Sequence, residues 1–150
     1  MRLIIPPPVQ AIICAVLMWV ISENLNASGF SFSLQQPIAI FLCLIGIGID
    51  LLSVGLFHRA KTTVSPFSPD KTEKLVTTGI YHYTRNPMYL GLTIIMTGLA
   101  FWLGNWGAFL VIPIFIWYVT NLQIIPEEEV LLEKFGEEYG DYVLRVRRWI

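Results

Sequence analysis

The chain reads as an all-α, polytopic membrane protein with four transmembrane helices, a long cytoplasmic loop between the second and third, and an amphipathic helix at its C-terminus. Composition is the first reason: 55% of the 150 residues are hydrophobic and 14% are charged, against roughly 25% charged residues in an average soluble domain. The second is the presence of four apolar segments, at Val9 to Ile21, Pro37 to Phe57, Met88 to Leu103 and Trp106 to Ile125. The third is charge sorting, because threading these segments through a bilayer leaves all 10 Lys and Arg on one side. Basic residues resist translocation, so that side is the cytoplasm.

The first segment is short for a bilayer core of about 30 Å, which asks for roughly 20 residues, so it must borrow Pro6 to Pro8 or Glu23 to Leu25. A cleaved signal peptide ending near Ala27-Ser28-Gly29 is the other reading of this stretch. The proline run stands where a basic leader region belongs, which favours a first transmembrane helix. The second segment contains Asp50, an acid inside a span and so a candidate functional residue, although pairing with a neighbouring helix explains it equally well. Gly46 and Gly48, just before it, suit close helix packing. Cys14 and Cys43 lie inside apolar runs and read as small hydrophobes. His58 and His82 have no zinc-type spacing, so no metal is expected.

From Asn86 to Pro126 the 41 positions carry no charge, enough for two crossings if Gly104-Asn105-Trp106-Gly107 makes the turn. Arg2 precedes the first span; Arg59, Lys61, Lys71, Lys74 and Arg85 lie between the second and third; Lys134, Arg145, Arg147 and Arg148 follow the fourth. The opposite loops, Ser22 to Gln36 and the Gly104 turn, have no basic residue, so both termini are cytoplasmic. The loop from His58 to Pro87, punctuated by Pro66, Pro69 and Gly79, is too long to be a mere connector. Beyond Glu127, Leu131, Phe135, Tyr139, Tyr142, Val146 and Trp149 describe one face of a helix that lies on the membrane or caps the bundle. No repeat or linker divides the chain, which counts as one domain over residues 1–150. Nucleic acid is excluded as a partner, and the sequence sets no oligomeric state.

Two polar clusters return to the same membrane face. One is Gly79-Ile80-Tyr81-His82-Tyr83-Thr84-Arg85-Asn86-Pro87-Met88-Tyr89, at the entrance of the third span. Taken alone it is an ordinary interfacial belt with proline in the first helical turn. The other is Pro126-Glu127-Glu128-Glu129, after the fourth span, which taken alone is a set of acids favoured by a helix dipole. Their juxtaposition sets carboxylates opposite an arginine and hydrogen-bonding side chains, a suitable pocket for a small zwitterionic or polyhydroxylated ligand. Thr120, Asn121 and Gln123 add polar groups near the end of the fourth span.

The runs Leu75-Val76-Thr77-Thr78-Gly79-Ile80-Tyr81, Arg85-Asn86-Pro87-Met88-Tyr89-Leu90-Gly91, and Glu127-Glu128 followed by Phe135-Gly136-Glu137-Glu138-Tyr139 resemble the isoprenylcysteine carboxyl methyltransferase family. Membrane phospholipid methyltransferases share the pattern more loosely. The similarity covers about Ala60 to Ile150, and both motifs occur in the right order. It implies S-adenosylmethionine as methyl donor, with S-adenosylhomocysteine as product. The resemblance makes Leu75, Val76, Tyr81, Asn86, Pro87, Met88, Tyr89 and Glu127 contacts of that cofactor, Arg85 and Glu128 neighbours in the catalytic site, and Gln123 a residue facing the acceptor, to which the polar Asn121 of the same span is added as a second candidate. A carboxylate can accept from ribose hydroxyls or an amino group, tyrosines can wall an adenine, and Arg85 can pair with a carboxylate. The Gly-rich turn of a Rossmann fold is absent, and in this family none is expected.

This chain departs from the family at two positions. Asn86 stands where many members have histidine, which keeps a hydrogen-bonding side chain. Gln123 stands where the isoprenylcysteine enzymes carry an arginine associated with the substrate carboxylate, so the acceptor side departs while the methyl-donor side matches. The implied reaction is in-line displacement onto a lipophilic acceptor entering from the bilayer, with the protein supplying alignment and desolvation. A nicotinamide-dependent membrane reductase and a non-catalytic membrane scaffold are the rival readings. The expected location is a bacterial inner membrane in preference to a eukaryotic endomembrane. The sequon Asn26-Ala27-Ser28 is too common a motif to decide between them.

Overall fold

The computed structural model describes residues 5–24, 28–60 and 74–150. Arg2, Lys61, Lys71, Pro66, Pro69 and the Asn26-Ala27 half of the sequon lie outside the described residues. The architecture is helical, and among the described residues the only β pairing is an isolated bridge between Gly29 and Asn105. Helix α1 spans Pro7–Asn24, α2 Gln35–Ala60 and α3 Pro87–Leu103. A single 3-10 turn at Gly79–His82 precedes α3. Then follow α4 (Trp106–Phe109), α5 (Val111–Val119), a π-helical turn at Thr120–Ile124, α6 (Ile125–Phe135) and α7 (Glu137–Arg145).

Three of these stretches are long and apolar enough to cross a membrane: Pro7–Asn24, Gln35–Arg59 and Trp106–Phe135. Helix α3 is apolar and has 17 residues, which at 1.5 Å per residue is about 26 Å. The chain is an integral membrane protein. Its large apolar side chains point outward: Ile12, Phe41, Leu44, Leu51, Leu52 and Trp117 are each between 62% and 68% exposed, an arrangement tolerable in lipid and not in water. Prolines begin α1 and α3, where a missing N–H and a fixed φ do no harm. Gly104 ends α3 in the left-handed conformation at φ 62°, and Asn105 caps α4 by accepting from the Gly107 N–H at 2.8 Å.

Helices α2 and α3 share the most extensive interface, and glycine makes it possible. A Cβ on Gly46 would sit 2.6 Å from the Gly91 carbonyl oxygen, and one on Gly98 would sit 2.8 Å from the Ala39 carbonyl oxygen. Small residues thus let the two backbones touch where no hydrophobic force drives helices together. Gly48, expected to act in the same way, has no such neighbour and needs another explanation. On the other side of α3 a buried core forms from Met18 of α1, Met96 and Ala100 of α3, and Val111, Phe115 and Val119 of α5.

The end of the fourth span and the tail differ from the sequence expectation. The span does not stop at Ile125: Trp106–Phe135 runs on as one rod. The π turn, closed by the Ile125 N–H on the Thr120 carbonyl, widens the helix just before Pro126, whose ring would crowd the carbonyl one turn earlier in a regular α-helix. Glu127 and Glu128 therefore sit inside a continuous helix rather than at a free N-terminus, and the dipole explanation for them falls. The expected single amphipathic tail helix is also broken. Gly136, at φ 53°, separates α6 from α7, and Val146 is extended. Leu131, Phe135, Tyr139, Tyr142 and Val146 do share one cluster, joined by Leu75, whereas Trp149 packs on the membrane core instead.

Candidate active site

The site is assembled where the chain re-enters the bundle. Gly79, at φ 63°, starts the 3-10 turn, and a Cβ there would meet the Leu56 side chain at 2.8 Å. The turn buries Tyr81 edge-on against Phe57, ring centroids 5.4 Å apart. The Tyr81 backbone carbonyl accepts from the Tyr142 hydroxyl at 2.6 Å. His82 and Tyr83 point away, Tyr83 being 76% exposed, and remain the interfacial belt that composition suggests.

The last residues of the chain strap this segment down. The Arg147 carbonyl accepts from the Arg85 N–H at 3.0 Å. The Arg148 carbonyl accepts from Asn86 Nδ2 at 3.0 Å and from Thr84 Oγ1 at 3.3 Å. Trp149 anchors the strap by donating from Nε1 to Thr120 Oγ1 at 3.2 Å. Asn86 is therefore held by the tail through its side chain, while its own N–H is taken by Thr84 Oγ1 at 3.1 Å.

The two neighbouring carboxylates of α6 have opposite surroundings. Glu128 receives Arg85 Nη2 at 3.1 Å and Arg148 Nη2 at 2.7 Å, and Arg148 Nε adds a second contact at 3.1 Å. Those hydrogen bonds hold the Arg148 guanidinium above its ordinary pKa. The Arg85 side chain is 8% exposed, and its Nε and Nη1 are buried with no hydrogen-bond partner. Glu127 accepts from the Tyr89 hydroxyl at 3.0 Å, and no ammonium or guanidinium among the described residues pairs with it. Tyr139 stands over the cluster, within reach of the charges of Glu128, Arg85, Arg148 and Glu127. Burial, reinforced by Glu128, pushes its phenol up to about 12. Burial likewise raises Tyr142 and Tyr81 above the usual phenol range.

Of the residues predicted for the site, Tyr81, Arg85, Asn86, Tyr89, Gln123, Glu127 and Glu128 come together. Gln123 is buried, accepts from the Tyr89 hydroxyl at 3.1 Å and donates to the Ile5 carbonyl at 2.7 Å, which Gln10 of α1 also reaches at 2.7 Å. The residue in the arginine's place thus ties the N-terminal end of α1 to the site. Pro87 is fully buried at the start of α3, Met88 and Val76 are half-buried, and Leu75 packs on the tail cluster. Asn121 does not join: it is exposed, and its amide donates to the Trp117 carbonyl of its own helix at 2.8 Å. Sequence reasoning missed Arg148 and Gln10. Arg148 had a signal, a basic pair near the end of the chain, that served only to orient the topology.

Comparison with known proteins meets this geometry. A family profile described as phospholipid methyltransferase matches residues 34–138. The chain is 33% identical over 120 residues to the protein-S-isoprenylcysteine O-methyltransferase of Schizosaccharomyces pombe, covering 78% of this chain and 50% of that protein. It is 31% identical over 121 residues to the Saccharomyces cerevisiae protein of the same name, covering 78% and 51%. An uncharacterized protein of Haemophilus influenzae is 46% identical over 63 residues, which are 42% of this chain and all of that protein. The chain thus spans about half the length of the yeast relatives it matches. No solved structure matches.

Proposed function

The chain belongs to the phospholipid methyltransferase family, alongside the isoprenylcysteine O-methyltransferases, and from that premise we propose that it moves a methyl group from S-adenosylmethionine to a lipophilic acceptor that enters from the bilayer. The observation that carries this reading is the complementary pair of incomplete groups at the cap. Glu127 is a carboxylate with a tyrosine hydroxyl on it and no cation, and Arg85 is a buried guanidinium with two unoccupied nitrogens. A ligand bearing both an ammonium and a carboxylate carries a partner for each. The amino-acid end of S-adenosylmethionine has that character, so the residues present fit it.

When bound, S-adenosylmethionine supplies an electrophilic methyl group on a sulfonium. The residues of this chain hold and orient it. Arg85 takes the carboxylate, Glu127 takes the ammonium or ribose hydroxyls, and Tyr81, Pro87, Met88 and Tyr89, with Leu75 and Val76, wall the remainder. Glu128 fixes Arg85 in place. Burial of these groups under the strap excludes water, and alignment does the rest of the catalytic work. On this reading α3 is a fourth span and all ten basic residues and both termini lie on the cytoplasmic side.

Calorimetric titration of S-adenosylmethionine and S-adenosylhomocysteine into the detergent-solubilised protein tests this. Saturable binding is expected, weakened at least about tenfold, or about 1.4 kcal/mol, in Glu127→Gln. Absence of saturable binding in folded wild-type protein would overturn the reading. S-adenosylhomocysteine also separates it from a nicotinamide-dependent reductase, which would ignore that ligand.

A further inference from the structure

Helix α2 carries an acid that the methyl-donor site does not use. Asp50 lies on the stripe Ala39, Cys43, Gly46, Asp50 and Ser53, which recurs at steps of four and three and so faces one way. That face meets α3: Cys43 reaches the Ile95 carbonyl, Gly46 touches Gly91, and Asp50 Oδ1 rests against Gly91, where a Cβ would collide with it. Oδ1 is buried with no hydrogen-bond partner. The next two residues, Leu51 and Leu52, are 68% and 63% exposed to what is lipid in the membrane. An acid here is costly, and α3 offers this oxygen nothing in return.

Two observations connect Asp50 to the site. The turn that carries Tyr81 packs on α2 about two helical turns beyond Asp50, where Gly79 abuts Leu56 and the Tyr81 ring meets Phe57, and the Tyr81 hydroxyl feels the charges of both Asp50 and Glu127. Along the same pair of helices, away from the cap, runs an apolar groove of about 350 Å³ lined by Ala39, Ile40, Cys43, Leu44, Leu99 and Trp102. Cys43 is two helical turns from Asp50, or about 10 Å. A head group near Asp50 and a hydrocarbon chain in the groove lie in line.

We propose that Asp50 is the acceptor-recognition residue, receiving the N–H, O–H or S–H head of a lipophilic acceptor whose chain occupies the α2–α3 groove. This rests on the membrane-methyltransferase reading and names the acceptor class. The charges select that class. No ammonium or guanidinium among the described residues pairs with Asp50, and the arginines of the cap bind Glu128. A carboxylate head would meet Asp50 and Glu127 together, whereas a hydrogen-donating head gives Oδ1 the partner it lacks.

Native mass spectrometry of protein released from nanodiscs, with dodecylamine, dodecanol and dodecanoate as probes, tests the proposal. Wild-type protein should retain the amine and the alcohol at least about tenfold over the carboxylate. In Asp50→Asn that preference should largely vanish, while the thermal midpoint holds or rises and S-adenosylhomocysteine affinity is unchanged. An unchanged head-group preference in the variant would overturn the proposal, as would a variant that fails to fold, which would mark Asp50 as a packing residue. Loss of S-adenosylhomocysteine binding in the wild type would instead sink the methyltransferase reading, and the probe series would still report on Asp50.

Discussion

Glu127 and Glu128 are adjacent in one helix and belong to different parts of the molecule. Glu128 faces the strap, where two arginines from distant points in the chain close on it and the tail carbonyls lace Thr84, Arg85 and Asn86 together. Glu127 faces the bundle, where it meets one tyrosine hydroxyl and beyond that Gln123. A buried carboxylate with its cations in place is a structural element, because removing it strands those cations. One without a cation is incomplete, and incompleteness in a buried site points to a ligand. Substitutions at the two glutamates should therefore separate folding from binding.

The largest effect on stability is expected at Glu128. In Glu128→Ala the Arg85 guanidinium, 8% exposed, loses its partner inside the cap, and breaking a buried pair in this way costs about 3 kcal/mol. Equilibrium unfolding in mixed detergent should show this loss, while Glu127→Gln, which strands no cation, should leave the midpoint nearly unchanged. Equal destabilisation by the two would erase the distinction between them.

Arg148→Ala should have an intermediate effect. Its side chain is 35% exposed, so solvent takes up part of the loss, and Arg85 remains on Glu128. We expect about 1.5 kcal/mol, near the low end for hydrogen bonds to a charged group. The backbone carbonyls of the strap are untouched by this change. A double-mutant cycle with Glu128→Gln should recover most of that energy as coupling, and high salt should shrink it. No coupling would mean that the strap is held by its backbone and Trp149 alone.

The helices were legible because the apolar runs were long and the charges were sorted by the bilayer. Pro87 and Gly104 bound α3 where start and stop signals say they should. The motifs that carry Tyr89 and Glu127 put both at the same mouth of the bundle, though not their hydrogen bond. The strap was not, since main-chain carbonyls at Arg147 and Arg148 leave no mark on residue identity. The π turn was not, since a five-residue change of pitch has no apolar period of its own. Asn121 and Gln123 are both polar groups near the end of the fourth span, yet residues two apart on a helix point to nearly opposite faces. Gln123 and Glu127, four apart, share a face, and that spacing alone favoured Gln123.

The smallest effect should come from Tyr142→Phe, where the contact is one hydrogen bond, 2.6 Å from the hydroxyl to the Tyr81 carbonyl. Tyr142 is 4% exposed, so water does not readily replace the lost donor and the carbonyl is left unsatisfied. The ring stays and its packing with Tyr139, Val146, Leu131 and Phe135 is retained, which limits the loss to about 1 kcal/mol. The consequence reaches the site because the 3-10 turn that presents Tyr81 is tied to the tail through this bond. A turn less firmly held should weaken S-adenosylhomocysteine binding a few-fold, with the unfolding midpoint falling by no more than that small loss implies. A fall in midpoint at full affinity would place Tyr142 with Glu128, in the part of the cap that holds the fold together.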